Sequence, residues 1–194
     1  ISYEEKKIGR KLLIILLAIL CLGLFLRVYD LAGESLWLDE GDSIRVAHLS
    51  FAGIIEDRWE SGHLPLYYIL LHYWINLFGD SEFSVRFLSL IFGFFALFMI
   101  YKIGSTLFDK EAGLLSSLLL ALSVFHIRYS QEARMYSLLA MLALCSFYFF
   151  IKLLKKRNLI VSTGYILSSI LLIYTHVYGL FIILAQNIYL VTLF

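Results

Sequence analysis

Seven apolar runs, parted by short polar breaks, organise this chain: residues 12–28, 64–78, 86–108, 112–125, 137–154, 159–175 and 180–194. A helix that crosses the ~30 Å hydrocarbon core needs about 20 largely apolar residues, so most of these runs predict membrane helices. Lys6, Lys7, Arg10 and Lys11 precede the first run, which is too long for a signal peptide and has no small-residue cleavage site. A retained anchor with a cytoplasmic N-terminus is expected. Residues 31–62 then emerge on the other side. Within them, 42–50 and 51–60 each repeat apolar positions at helical spacing, with Ile44, Ala47 and Phe51, then Ile54, Ile55 and Trp59, on an apolar side. Such helices are expected to lie along the membrane surface.

The 64–78 run is the ambiguous one. Its length gives roughly 22 Å at ~1.5 Å per residue, and it carries Tyr68, His72 and Asn76 along one face. If it crosses, five crossings precede Lys155-Lys156-Arg157, and the strongest internal basic cluster falls outside, against the positive-inside tendency. If it lies in the interface or dips part way, four crossings precede that cluster, which is then cytoplasmic, as is the Asp109-Lys110-Glu111 turn. The second topology is the expectation. It gathers residues 37–42, 62–65, 84–86, 126–136 and 174–179 on one outer face.

Composition narrows the class. With 61% hydrophobic residues, 16% charged residues and one Pro, the chain falls outside the range of soluble domains. We expect an all-α, polytopic transmembrane fold forming a single integral membrane domain over residues 1–194. The net charge of +1 excludes a generally basic nucleic-acid binder. Cys21 and Cys145 both lie in apolar runs, so no disulfide framework is expected. Neither a Walker loop, a dinucleotide-binding glycine loop nor Gly-Xaa-Ser-Xaa-Gly occurs, which disfavours nucleotide hydrolysis and serine-hydrolase chemistry. A polar, arginine-rich and aromatic face over a lipidic scaffold instead suits a substrate that is half lipid and half polar head.

On that face, Asp39, Glu40 and Asp42 place three carboxylates within four positions. Adjacent residues on a helix point about 100° apart, so one of Asp39 and Glu40 can act as a general base while the other supports it. Capping of a helix start by Asp39 is the structural alternative. A divalent cation held by Asp39, Asp42 and His63 is a weaker reading, since the spacing of a Ca²⁺ loop is missing; no cofactor is required by any motif. Arg128 and Arg134 flank Gln131 and Glu132 and form a candidate phosphate clamp, with snorkelling and an Arg–Glu132 pair as the alternative. Arg86 binds a headgroup or pairs with Asp39 or Glu40. His63, His126 and His176 suit sugar contact or the membrane interface better than a metal site. Tyr129, Tyr136, Tyr174 and Tyr178 read chiefly as an aromatic belt, with carbohydrate stacking as the minority reading.

Taken in order, Leu36-Trp37-Leu38-Asp39-Glu40-Gly41, Gly62-His63-Leu64-Pro65-Leu66-Tyr67-Tyr68, Ser84-Val85-Arg86-Phe87, Tyr129-Ser130-Gln131-Glu132-Ala133-Arg134-Met135-Tyr136 and Tyr174-Thr175-His176-Val177-Tyr178-Gly179 resemble the N-terminal half of the GT-C superfamily. The resemblance is closest to the dolichyl-phosphate-mannose protein mannosyltransferases and their prokaryotic relatives, which include the lipid A aminoarabinose transferases. It implies an inverting glycosyltransferase that moves a sugar from a polyprenyl-phosphate carrier to a lipid, glycan or protein acceptor at the outer or lumenal face of the membrane, the cell membrane being the expected one. It also implies Asp39 as general base with Glu40 beside it, and a role for Arg86; Arg128, Glu132, Arg134, His63, His176 and Tyr178 are the expected substrate and carrier contacts. The usual His-Pro-Pro is His63-Leu64-Pro65 here. Relatives carry many more spans, so the chain is expected to be the first part of a longer enzyme. A transporter or flippase subunit for lipid-linked polar substrates, and a non-catalytic membrane module, are the rival readings; a transporter's charges should line a pathway within the spans.

Overall fold

The structure, a computed structural model, describes residues 3–193, which form ten helices and no strand. They are α1 Tyr3–Val28, α2 Leu38–Ala47, α3 Phe51–Glu60, α4 Leu66–Phe78, α5 Glu82–Leu107, α6 Lys110–Ala121, α7 Val124–Ser130, α8 Tyr136–Lys155, α9 Leu159–Thr175 and α10 Tyr178–Thr192. The side chains of Lys6 and Lys7, and Phe194 at the end of the last expected run, lie outside the described residues. The all-α architecture expected from the apolar runs is the one adopted. Gly9–Val28, α5 and α8 are long and apolar enough to cross a membrane, and α6 with α7 would make a fourth crossing, bent by 65°.

The short fourth helix explains itself by what it touches. At 13 residues it reaches roughly 20 Å, short of the ~30 Å core. Tyr67, Tyr68 and Leu71 are fully buried in one core with Val46, Val85 and Leu138. Its polar stripe turns toward α2 and α3 rather than lipid: His72 Nδ1 donates to the Ala47 carbonyl at 2.7 Å, and Asn76 donates to His72 Nε2 at 3.1 Å. Tyr67, Tyr68, Leu71 and Ile75 make one side of the run protein core, while Tyr73, Leu77 and Phe78 stay exposed.

The fifth helix is the spine. Half of its apolar window is buried, against 22% for that of α1 and 28% for that of α8. Its closest neighbour is α6, where a Cβ on Gly104 would lie 2.8 Å from Gly113 Cα and a Cβ on Gly113 would lie 2.7 Å from the Tyr101 carbonyl. Only glycine permits that approach. At the far end of α5, Lys155 donates to the Thr106 carbonyl at 2.5 Å, which brings the end of α8 beside the end of α5. The 109–111 turn and the Lys155–Arg157 cluster therefore share one end of the bundle, away from Asp39.

Two expectations are corrected. Residues 112–125 do not form one helix; the chain breaks after Ala121 and restarts at Val124, where the Ser123 hydroxyl accepts from the His126 N–H at 3.3 Å. The break frees carbonyls at the end of α6, and Arg27, fully buried, takes them. Its guanidinium donates to the Leu120 carbonyl at 3.2 Å, the Ala121 carbonyl at 3.3 Å and the Gly23 carbonyl at 2.8 Å, and meets His126 Nδ1 at 2.8 Å. A cation at a helix C-terminus complements the carbonyl dipoles. The second correction is that α2 starts at Leu38, four positions before the expected 42, because the Glu40 carboxylate accepts the Trp37 N–H at 3.3 Å and closes the first turn. On α3 the expected apolar side is divided: Ile54 is buried while Phe51, Ile55 and Trp59 stay exposed.

Candidate active site

The first turn of α2 carries Asp39 and Glu40 into different surroundings. Glu40 is 0% exposed and Arg86, at the start of α5, is 5% exposed. Their pairing is bidentate: Arg86 Nε donates to Glu40 Oε1 at 2.9 Å and Nη2 to Oε2 at 2.8 Å. The Ala133 N–H adds 2.8 Å to Oε1. The remaining guanidinium hydrogens go to the carbonyls of Leu31, Glu34 and Ser35 at 3.1, 2.7 and 3.2 Å. One ion pair thereby fastens the 31–37 loop, α2, α5 and the segment after α7 together. A buried pair this well satisfied has no donor left for a ligand.

Asp39, about 100° further round the helix, keeps 43% of its side chain exposed and faces Arg134, whose side chain is 7% exposed. Arg134 Nη2 lies 3.6 Å from Asp39 Oδ2, and Nη1 donates to the Asp39 carbonyl at 3.2 Å and toward the Ser43 hydroxyl at 3.4 Å. Its own backbone is held from α5, where the buried Ser89 hydroxyl donates to the Arg134 carbonyl at 3.2 Å. Arg134 Nε is buried without a partner. The guanidinium lies over the Tyr136 ring at 5.9 Å, Tyr136 is 6.4 Å from the His176 ring, and His176 is 4.6 Å from Tyr178. The Tyr178 N–H donates to His176 Nδ1 at 3.2 Å.

The two histidines converge on this cluster. Burial pushes the His63 imidazole below its ordinary value, and the charges of Arg58 and Arg134 push it further, partly offset by Asp42 and Asp39. Burial likewise lowers His176, with His63 and Arg134 acting the same way. Both rings are therefore neutral at pH 7 and can donate one hydrogen bond and accept another. Asp39, His63, Arg134, His176 and Tyr178, drawn from four separate stretches of sequence, share one site.

Asp42 belongs to a different arrangement. Burial tends to raise its carboxyl, yet hydrogen bonds and charge from Arg45 and Arg58 outweigh that and bring it below the usual carboxylate range. Arg45 meets Asp42 at 2.8 Å and Asp57 at 3.0 Å; Arg58 meets Asp42 at 3.2 Å and also pairs with Asp57. Arg58 is almost wholly buried under the Tyr68 ring, 4.6 Å from its centroid. This network ties α2 to α3. Among the described residues no three His, Cys, Asp or Glu side chains gather as a metal site, so Asp39, Asp42 and His63 do not assemble one.

Arg128 and Arg134 are committed to different carboxylates: Arg128 Nε donates to Glu132 Oε1 at 3.2 Å, while Arg134 faces Asp39. The six-residue spacing does not bring them onto one helix face because α7 ends at Ser130 and the chain bends through 131–134. Burial raises the Glu132 carboxyl above its ordinary value, partly offset by Arg128. Arg27, Arg58 and Ser89 were not anticipated; an arginine inside an apolar run, as Arg27 is, was the one available signal.

The sequence model of the dolichyl-phosphate-mannose-protein mannosyltransferase family matches residues 62–193. That stretch contains His63, Arg86, Arg128, Glu132, Arg134, His176 and Tyr178. Asp39 and Glu40 precede it and join it physically, through Arg134 and Arg86. No curated protein and no solved structure matches the chain.

Proposed function

The chain belongs to the dolichyl-phosphate-mannose-protein mannosyltransferase family, membrane glycosyltransferases of the GT-C type, and on that premise we propose that it transfers a sugar from a polyprenyl-phosphate carrier to an acceptor with inversion, using Asp39 as general base. The observation that carries this reading is the division of labour in the Asp-Glu pair: Glu40 is sealed against Arg86, and Asp39 is the half-exposed carboxylate beside Arg134, two neutral histidines and two tyrosines.

In the proposed step the acceptor's hydroxyl or amine gives its proton to Asp39 as its oxygen or nitrogen attacks the anomeric carbon. The bond to the carrier phosphate breaks on the opposite face, and its electron pair leaves on the phosphate. Arg134 orients Asp39 through the carboxylate and the backbone carbonyl, and its unpartnered Nε–H is the donor we assign to the departing phosphate. His63 and His176, being neutral, can each donate one hydrogen bond to a sugar hydroxyl. The positive-inside tendency applied to four crossings supports an active face outside the cytoplasm, on the side away from Lys155–Arg157. The transporter reading gains nothing from Arg27, whose guanidinium is capped by three carbonyls.

In the full-length chain, Asp39→Asn should lower transfer from a polyprenyl-phosphate sugar on the order of 10²–10⁴-fold and leave the protein folded. Near-normal turnover by that variant would remove Asp39 as the base.

A further inference from the structure

Glu40 and Arg86 also form one wall of a cleft of about 770 Å³ whose lining does not include Asp39. It opens where the end of α1, the 29–37 loop and α7 meet, and its size falls in the range of roughly 300–1,000 Å³ that holds small ligands. Two aromatic rings stand at it with their surfaces in solvent: Tyr29 is 68% and Trp37 46% exposed. Exposed aromatic faces beside planar hydrogen-bonding groups are the surroundings that a sugar ring fits, with its C–H face on the aromatic and its hydroxyls on the polar atoms.

The charges of the lining decide what kind of polar ligand enters. Four carboxylates, Asp30, Glu34, Glu40 and Glu132, meet two guanidinium groups, Arg86 and Arg128. Glu40 is matched by Arg86 and Glu132 by Arg128, whereas Asp30 and Glu34 make no ion pair among the described residues. Asp30 is held in place by a left-handed backbone (φ 57°), and the loop folds so closely over it that a Cβ on Gly33 would lie 1.9 Å from its carboxylate. Two unmatched negative charges in a partly enclosed cleft repel a phosphate.

We propose that this cleft is a sugar subsite that takes an uncharged pyranose ring on Trp37, hydrogen-bonded to Asp30 and Glu34, and rejects a ring carrying a phosphate. The proposal rests on the glycosyltransferase reading. Arg128 then serves to hold Glu132, not to clamp the carrier. A neutral ring could come from a glycan acceptor, and a phosphate-bearing one from the donor, so the probe must separate the two.

Trp37 reports directly. The chain has three tryptophans; Trp59 on α3 is removed by Trp59→Phe, and Trp74 is anchored by its indole N–H to the Ser84 carbonyl at 2.9 Å. With the full-length Trp59→Phe protein in lipid nanodiscs, a methyl hexopyranoside should shift tryptophan emission saturably, a shift that adding Trp37→Phe abolishes, and the same hexose as its 1-phosphate should bind at least about tenfold more weakly. Doubling Asp30→Asn with Glu34→Gln should weaken the neutral glycoside and narrow the gap between the two probes. Tighter binding of the sugar phosphate, no emission change with either probe, or an unchanged gap in the double variant each overturns the subsite. Asp39→Asn in the same background should bind the glycoside normally. Transfer by that variant would sink the base assignment and leave the subsite standing, whereas lost transfer with absent glycoside binding would do the reverse.

Discussion

Glu40 and Asp39 are consecutive residues on one helical turn, and they live in opposite electrostatic worlds. Around Glu40 every oxygen and every guanidinium nitrogen of Arg86 has a partner, water is excluded, and four segments of chain converge. Around Asp39 the nearest cation stands at 3.6 Å, the carboxylate is almost half open, and Arg134 keeps an unpartnered N–H. The buried side is saturated and rigid. The open side is under-satisfied, which is the condition under which a carboxylate can exchange a proton with a substrate. A full pairing holds structure, and an incomplete one leaves chemistry available.

The largest effect expected from breaking this contrast lies on the saturated side. Removing one partner of a buried pair leaves the other charge unpaired, at a cost of about 3–5 kcal/mol. Against a typical total of about 5–15 kcal/mol that is enough to remove most folded protein. Glu40→Gln and Arg86→Met should therefore lower the yield of monodisperse protein and its thermal midpoint, whereas Asp39→Asn should melt like the parent and lose transfer. A Glu40→Gln protein with the parent's melting temperature and no activity would show the two carboxylates to be alike.

Much of this contrast was legible in the sequence, and part was not. The apolar runs predicted the helices, of which three, or four with the bent pair, are long and apolar enough to cross a membrane, because a helix in lipid must satisfy its own backbone. The 64–78 run was set apart by its short length and by the count of crossings before Lys155–Arg157, and its helix has 13 residues. The 121–124 break was hidden because no proline or glycine marks it; the device that supports it is Arg27, nearly a hundred residues away in sequence. Arg58 was hidden for a similar reason: nothing in the stretch around it says that it will pack beneath Tyr68. Adjacency made Asp39 and Glu40 look interchangeable. Their difference comes from long-range partners, Arg134 for one and Arg86 for the other.

A smaller effect is expected where the two sides communicate. Arg134 reaches the Asp39 carboxylate, the Asp39 carbonyl and Ser43 with one planar fork, which a lysine ammonium cannot reproduce at three points. Arg134→Lys keeps the charge and loses the geometry. Transfer should fall between about tenfold and 10²-fold, the cost of roughly an ångström of misplacement. An unchanged kcat in that variant would mean that positive charge alone, not orientation, is what the site needs from Arg134.

The smallest effect is one of pH, and its sign separates the histidines from the cleft. His63 and His176 have folded-state pKa values below the ordinary one, through burial first and neighbouring arginines second. The unfolded chain then binds more protons than the folded one as pH falls below about 6.5, so their contribution is fully present above that value and is lost through the lower folded values. Glu132 runs the other way. Its carboxyl is raised by burial, so its contribution is present below the ordinary carboxylate range and declines as pH rises through the folded value. Thermal melts at pH 7.5 and pH 5.5 should show His63→Gln and His176→Asn losing less stability on acidification than the parent, and Glu132→Gln losing more, because it gives up a group that gains on acidification. Asparagine keeps an acceptor where His176 Nδ1 takes the Tyr178 N–H, so the comparison at pH 7.5 isolates the proton from the hydrogen bond. Equal acid losses in the parent and in both histidine variants would mean that the rings stay solvated and do not face Arg134.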